Sequence, residues 1–356
     1  MSIKICYVAG REGTYSRTHN VRVALEREFE VVTCFPESKS MADYPKVLWQ
    51  FLKKKKDCDA VVVGFYGQLL MPAVRLFTKK PILFDVYVST FGTMVDDRGK
   101  AQASSLKAKL YWLADHCSMR FADHILLESN DHIRRYADLY RIPRAKFTRM
   151  FLPSDESIMV RRAAAPKNPR FLVHFHGEYA PFHGVDVIIR AAKALENEGI
   201  DFQIVGKGIT YARDRQLATD LQVSNITFVD PVPYAKLAEL MTRADVCLGF
   251  FGDNPRAERV FTNKVVEALA VGQPLITRRN DAVQELLEDE ESALLIAPGD
   301  PEALAQAILR LKNDAELRDR LAKNGRKLYE AHCTQAVFAS ALKHTIEEML
   351  AHAKSD

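Results

Sequence analysis

No stretch of the 356-residue chain approaches the roughly 18 to 20 consecutive apolar residues that a membrane-spanning helix needs. Met1-Ser2-Ile3-Lys4-Ile5 runs straight into a strand-like segment without the regions of a secretory signal, so a cytoplasmic protein is expected. There is no C-x-x-C pair. The six cysteines (Cys6, Cys34, Cys58, Cys117, Cys247, Cys333) are scattered and lie mostly in apolar segments, which favours buried free thiols over disulfides or metal ligands. A G-x-G-x-x-G fingerprint is also missing. Gly10-Arg-Glu-Gly13 after the first strand only approaches it, which argues against a dinucleotide-dependent dehydrogenase. No D-x-D motif stands at the end of a strand, since Asp57-Cys-Asp59 precedes one, so neither a metal nor another cofactor is expected. Recognition-helix, RRM and zinc signatures are absent, and nucleic acid is not expected as a partner.

What is present is a repeated strand and helix pattern in a chain too long for one ordinary core. Apolar, β-branched runs at Ile3 to Ala9, Val31 to Phe35, Ala60 to Phe65, Pro81 to Val86, His124 to Glu128 and Phe147 to Leu152 alternate with amphipathic segments. The pattern restarts at Phe171 to Phe175 and continues through Phe202 to Val205, Ile226 to Val229, Val246 to Phe251, Pro274 to Thr277 and Leu294 to Ile296. Such alternation predicts an α/β protein of two parallel, Rossmann-like sheets with helices on both faces. The boundaries follow: a first domain over 1–154, a linker over 155–169, a second domain over 170–333, and a C-terminal helix over 334–356 that crosses back to the first. Ligands of open α/β sheets bind outside the carboxyl ends of the strands, so two such domains facing across a cleft would hold the ligand there.

Charge is unevenly shared. Residues 1–154 carry 25 Lys and Arg against 16 Asp and Glu, and the remainder 25 against 30. The basic half suits an anionic partner or is simply a lysine-rich surface. Lys46-Val-Leu-Trp-Gln-Phe-Leu-Lys-Lys-Lys-Lys56 fits peripheral contact with an anionic membrane, or a core-packed helix whose basic end complements its dipole.

The most informative segment runs from Arg256 to Thr277. A polar loop precedes a helix that opens at Thr262 or Asn263 and stops at Gly272. Its first-turn amides and positive dipole end form an anion site. Lys264 in that first turn opposes the dipole unless an anion is bound. Glu267, about one turn on, suits two hydrogen bonds from ribose hydroxyls. The alternative for this pair is a surface Lys and Glu at i, i+3.

Asn-Lys-Val-Val-Glu-Ala-Leu-Ala-Val-Gly-Gln-Pro-Leu-Ile resembles the donor-binding signature of family 4 glycosyltransferases, a large retaining family with the GT-B fold. Phe175-His-Gly-Glu-Tyr-Ala-Pro-Phe-His-Gly184, Phe202-Gln-Ile-Val-Gly-Lys-Gly208 and Ile226-Thr-Phe-Val-Asp-Pro-Val-Pro-Tyr234 resemble three further motifs of that family, in its order. The resemblance implies that Glu267 binds the donor ribose and that Lys264, with amides near Phe261 and Thr262, holds the diphosphate. It places Gly177, His183 and Gly184 against the phosphates, and Gly206, Gly208 and Val232 beside the base. His183 stands where the family often has Lys or Arg; a neutral imidazole still donates one hydrogen bond, and a structural role is the alternative.

Two departures matter. Arg259 occupies the earlier position of the family's two-glutamate motif, with Glu258 one residue before it, so either Glu258 faces the donor sugar after a loop shift or the chain belongs to a variant group. In the first half, Phe84-Asp85 ends a strand where the family often places a histidine. Asp85 then orients or deprotonates the acceptor hydroxyl, or merely caps a turn. Gly13 and Arg98 are the acceptor-side candidates. The expected activity is transfer of a sugar from a nucleotide-diphosphate donor, of UDP or GDP type, to a hydroxyl of a glycan or polyprenyl-linked glycan. A sugar-nucleotide epimerase of the same fold, phosphorylase chemistry and a catalytically inactive nucleotide-sugar binding subunit are the alternatives.

Overall fold

The computed structural model describes residues 2–160 and 169–355. The chain divides into two compact units, Met1–Pro153 with Gln335–Asp356, and Ser154–Thr334. Residues 161–168, half of the expected linker, lie outside the described residues.

The first unit is a parallel sheet of β1 (Lys4–Val8), β2 (Glu30–Cys34), β3 (Ala60–Val63), β4 (Ile82–Asp85), β5 (His124–Leu127) and β6 (Phe147–Arg149), in the order β2-β1-β3-β4-β5-β6. Central β3, Ala-Val-Val-Val, is buried along its whole length, as a parallel strand covered on both faces must be. Its helices are α1 (Ser16–Glu28), α2 (Tyr44–Lys54), α3 (Met71–Phe77), α4 (Leu106–Phe121) and α5 (Asn130–Tyr140). Val47 and Phe51 of α2, Met71 and Val74 of α3, Met119 of α4 and Tyr136 of α5 share one core with Val61, Val63 and Phe84. These four helices therefore cover one face of the sheet.

The second unit is a parallel sheet of β7 (Phe171–His176), β8 (Ile200–Val205), β9 (Ile226–Val229), β10 (Val246–Leu248), β11 (Leu275–Arg278) and β12 (Leu294–Ile296), in the order β12-β11-β10-β7-β8-β9. Its helices are α6 (Val185–Ala194), α7 (Tyr211–Asp220), α8 (Tyr234–Arg243), α9 (Asn263–Val271), α10 (Asp281–Gln284), α11 (Pro301–Asn313) and α12 (Ala315–His332). The strand order reverses between β7 and β10, the switch point at which open α/β sheets bind their ligands. In the first unit the reversal lies between β1 and β3.

The last helix, α13 (Gln335–Ser355), belongs to the first unit. Phe338, Leu342, Ile346 and Met349, at helical spacing, are buried with Val21 and Leu25 of α1 and Ile5 and Val62 of the sheet. Burial of each such side chain contributes about 1.5–3 kcal/mol. Asn20 Oδ1 accepts from Gln335 Nε2 at 3.3 Å, and Lys343 Nζ pairs with Glu28 at 3.1 Å. All six cysteines are free thiols, and only Cys117 is not fully buried.

Candidate functional site

At the switch point of the second unit two loops are laced together by their backbones. Leaving β7, the chain turns through a 3-10 segment at Pro181–His183 and enters α6 from Gly184. The segment after β10 is strapped to that turn, Phe251 N–H donating to His183 O at 2.9 Å and Gly252 N–H to Phe182 O at 3.1 Å. Gly184 has φ +65°, and a Cβ there would lie 2.5 Å from Gly252 N, so only glycine fits. Gly206 has φ +121°, and its Cβ would meet Gly177 O at 2.1 Å, while one on Gly208 would meet Glu178 O at 1.4 Å. The glycines expected to make room for a donor thus first make room for each other's backbone.

The helix α9 opens beside this knot, with Thr262 as its N-cap and Gly272 (φ 70°) as its C-cap. Thr262 makes no capping hydrogen bond through its side chain, and its buried hydroxyl has no protein partner. The first-turn amides have no intrahelical acceptor by construction. Lys264 is buried, and its Nζ lies 2.9 Å from His183 Nε2. Burial drives the Lys264 pKa down to about 8, against the pull of Glu267 and Glu178. Burial also pushes the His183 imidazolium well below its usual range, with Lys264 adding to the effect. His183 is therefore neutral and accepts from the ammonium at Nε2, which leaves Nδ1 carrying the proton. That Nδ1–H is buried and has no protein partner; a Cβ on Gly177 would come within 2.9 Å of it. One hydroxyl, one imidazole N–H, one ammonium and a helix N-terminus are gathered in a buried place. Donors of this kind at a helix N-terminus are the groups an anion of several oxygens would use.

Glu267, just over one turn into α9, is pinned on both oxygens. His176 Nε2 lies 2.8 Å from Oε2, and the Tyr234 hydroxyl donates to Oε1 at 2.6 Å. Burial would raise its pKa, but the bonds from His176 and Tyr234 and the charge of Lys264 hold it below the usual range. It is a fixed carboxylate with one acceptor direction left on each oxygen, which suits a vicinal diol. His176 Nδ1 stands 3.2 Å from His174 Nε2, and His174 Nδ1 stands 3.2 Å from the Gln203 amide. Burial, with His176 nearby, brings the His174 pKa down to about 3, so His174 is a neutral link. The roles of His174, His176 and Tyr234 were missed from sequence. Their signal was two histidines at alternate positions of a central strand, where apolar side chains are the norm.

Other expected donor residues are placed as follows. Val232 is half-buried in the loop between β9 and α8, and the Phe261 ring is buried in the protein. Arg259 donates to Pro255 O at 3.0 Å. Glu258 is exposed on the turn that follows β10, and its charge acts on buried Arg278.

The first unit arranges its switch point differently. Gly10 N–H donates to Phe65 O at 2.9 Å, and Gly64 N–H to Val8 O at 2.7 Å. Tyr15 stacks on Phe65 at 4.8 Å between ring centroids, and Tyr66 and Tyr87 meet Phe65 edge-on. Asp85 is fully buried and bidentate to Arg17, at 2.9 Å from Nε and 2.6 Å from Nη2. Each carboxylate oxygen thus accepts one bond from the guanidinium, and the expected acceptor-side Asp85 stands in a buried ion pair. The ion pair leaves Arg17 Nη1 buried without a protein partner. Gly13 abuts the Phe35 ring, 3.0 Å from where its Cβ would be. Arg98 follows a π-helical turn, Gly92–Asp97, and its Nε has no protein partner. Sequence reasoning also missed a buried pair at the end of β5, where His132 Nδ1 is 2.7 Å from Glu128 Oε1. Glu128 Oε2 and His132 Nε2 have no protein partner.

Lys46–Lys54 belong to α2, one face of which packs into the core, and Lys55 and Lys56 follow in a short 3-10 turn. Val47 and Phe51 are fully buried, and the one exposed aromatic, Trp49, lies under Lys53 at 3.5 Å. Among the described residues, no helix is long and apolar enough to cross a membrane.

A pair of six-stranded parallel sheets with flanking helices is the architecture of GT-B structures. Residues 159–328, nearly all of the second unit, match the family Glycosyl transferases group 1. The amylovoran biosynthesis glycosyltransferase AmsK of Erwinia amylovora is 24% identical over 70% of this chain and 67% of its own length. This chain spans less than half the length of several further curated relatives, the D-inositol 3-phosphate glycosyltransferases among them. Sucrose-phosphate synthase from Thermosynechococcus elongatus superposes with a TM-score of 0.78, covering 99% of this chain and 100% of that one at 16% identity. Anabaena HepE, solved in complex with UDP and glucose, gives 0.76 over 98% and 100% at 12% identity. These matches support the glycosyltransferase family indicated by the motifs and share the fold across both units.

Proposed function

We propose that the chain transfers a sugar from a nucleotide-diphosphate donor of UDP or GDP type to a hydroxyl of a glycan or lipid-linked glycan. The observation that carries this reading is the cradle at the start of α9. Thr262 Oγ1, His183 Nδ1 and the Lys264 ammonium are buried polar groups, of which the first two have no protein partner, and leaving such groups unsatisfied costs about 1–3 kcal/mol each. A diphosphate satisfies them together. Glu267, fixed by His176 and Tyr234, receives the ribose diol. As the glycosidic bond to the diphosphate breaks, negative charge grows on the leaving oxygens. Lys264, His183 and the α9 dipole are already aimed there, so the stabilisation needs little reorganisation. In this reading the charge is neutralised by protein cations and dipoles without a metal, and retention of configuration follows from the family resemblance. The aromatic residues at the other switch point, Tyr66 and Tyr87, offer ring surface to an acceptor sugar.

Thermal shift against UDP, GDP and their sugars tests the donor half. A true ligand at 100 times its dissociation constant raises stability by about 2.7 kcal/mol, and this gain should vanish in Lys264→Ala. Incubation with donor alone separates epimerisation from transfer. A chain that binds the nucleotide but moves no sugar to any acceptor, water included, is the inactive subunit instead.

A further inference from the structure

The helix α4 is built inside out. Leu106, Leu110 and Leu113 fall at i, i+4 and i+7, along one side of the helix, and are 75%, 57% and 48% exposed. Its inward side holds Ala108, Ser118, Met119 and a buried carboxylate, Asp115. Asp115 accepts from the amides of Thr90 and Phe91, both at 2.8 Å, and from the Tyr140 hydroxyl at 3.2 Å. The inward side is thus committed to holding the loop after β4, and the leucines have no place in the core. The adjoining helix α3 adds Leu76, 78% exposed, and Phe77. Contiguous exposed leucine on one helix face costs solubility and marks a surface that meets an apolar phase.

The charge on and beside these helices says which phase. The only carboxylate on α3 or α4 is buried Asp115, whereas Lys107, Lys109 and Arg120 stand exposed on α4. At the end of α3 a hollow of about 500 Å³ is lined by Lys55, Lys56, Phe77, Thr78, Lys79 and Lys80. Lys80 Nζ donates there to the carbonyls of Lys55 and Lys56, both at 2.8 Å, and of Cys58, and Lys55 Nζ donates to Phe77 O, so exposed Lys56 and Lys79 are the cations the hollow offers a lipid phosphate. Leucines flanked by cations match a bilayer whose interior takes the apolar side chains and whose anionic headgroups take the lysines. Nucleic acid would use the cations and leave the leucines in water.

We propose that the α3–α4 face of the first unit docks on an anionic phospholipid surface, with Leu106, Leu110 and Leu113 in the acyl boundary and the lysine-lined hollow on a lipid phosphate. This goes beyond the donor reading and stands without it. Of the Lys46–Lys56 segment it uses only Lys55 and Lys56, which line the hollow.

Flotation of the full chain with vesicles of phosphatidylcholine, with and without phosphatidylglycerol, tests it. The intact protein partitions to the anionic vesicles, less at high salt, and stays off the neutral ones. The triple variant Leu106→Ser, Leu110→Ser, Leu113→Ser loses binding by about tenfold or more, and Lys107→Glu with Lys109→Glu loses most of it, while Trp49→Ser binds as the parent does. Circular dichroism and an unchanged melting temperature confirm that each variant is folded. The proposal is overturned if the parent ignores anionic vesicles, if the leucine variant binds as tightly, or if the leucines instead support a concentration-dependent dimer that excludes lipid.

Discussion

The two units solve one architectural problem in opposite ways. Each is a six-stranded parallel sheet whose order reverses once, so each offers one crevice at its strand ends. In the first unit that crevice is lined by aromatic rings around Phe65 and by a buried Arg17–Asp85 ion pair. In the second, the loops after β7 and β10 meet through glycine backbone and leave Thr262 Oγ1 and His183 Nδ1 unpartnered beside Lys264. A shared fold therefore does not imply a shared site: both units hold buried polar atoms without a protein partner, but in the second two of them, Thr262 Oγ1 and His183 Nδ1, accompany a buried lysine at a helix N-terminus.

That contrast can be broken by substitution. The largest effect is expected from Lys264→Ala, which removes the cradle's cation; sugar transfer should fall by about 10²- to 10³-fold while the melting temperature changes little. The mirror experiment in the first unit is Asp85→Ala. It strands the Arg17 guanidinium in a buried place and should cost about 3–5 kcal/mol of stability, with nucleotide affinity in the second unit unchanged. If Asp85→Ala instead left stability intact and weakened donor binding, the two crevices would not have the separate roles described.

Smaller effects sharpen the picture. His176→Ala removes one of the two donors that fix Glu267. Donor affinity should drop by about tenfold, as for a lost hydrogen bond of about 1.5 kcal/mol to a charged group, and His176→Gln should recover part of it. The pH dependence follows from Lys264. Folded and ligand-free, it sheds its proton near 8, against 10.5 when unfolded. Diphosphate affinity should therefore decline as pH rises through about 8. Between 8 and 10.5 the unfolded chain holds more protons, so the ligand-free stability attributable to this group rises with pH. Titration calorimetry across that range should also show proton uptake on binding, absent in Lys264→Met.

Much of the fold was legible because parallel strands buried on both faces are written as short β-branched runs. Ile226–Val229 and Leu294–Ile296 were read to the residue, and α9 was bracketed by its N-cap candidates and Gly272. The expected strand Val246–Phe251 ends at Leu248, because Phe251 turns its amide to His183 instead of to a neighbouring strand. Lys264, Glu267 and His183 carried local signals, a cation against a helix dipole and a glycine-rich loop. The fate of Asp85 did not. Its partner Arg17 lies 68 positions away in sequence, and nothing around either residue marks the pairing. The engagement of Glu267 by His176 was equally hidden, since it joins a strand to a helix 91 positions on. The reversed polarity of α4 was hidden as well: Asp115 looks like a solvent residue until the loop amides it binds are known.

The central claim is that the beginning of α9 grips a nucleoside diphosphate. Hydrogen–deuterium exchange with saturating UDP, and then GDP, measures it directly. At least one of the two should slow exchange at residues 262–264 and in the 177–184 loop, leaving the 10–13 loop of the first unit unchanged. A nucleotide that binds tightly but protects the 10–13 loop, with 262–264 exchanging as before, would contradict it.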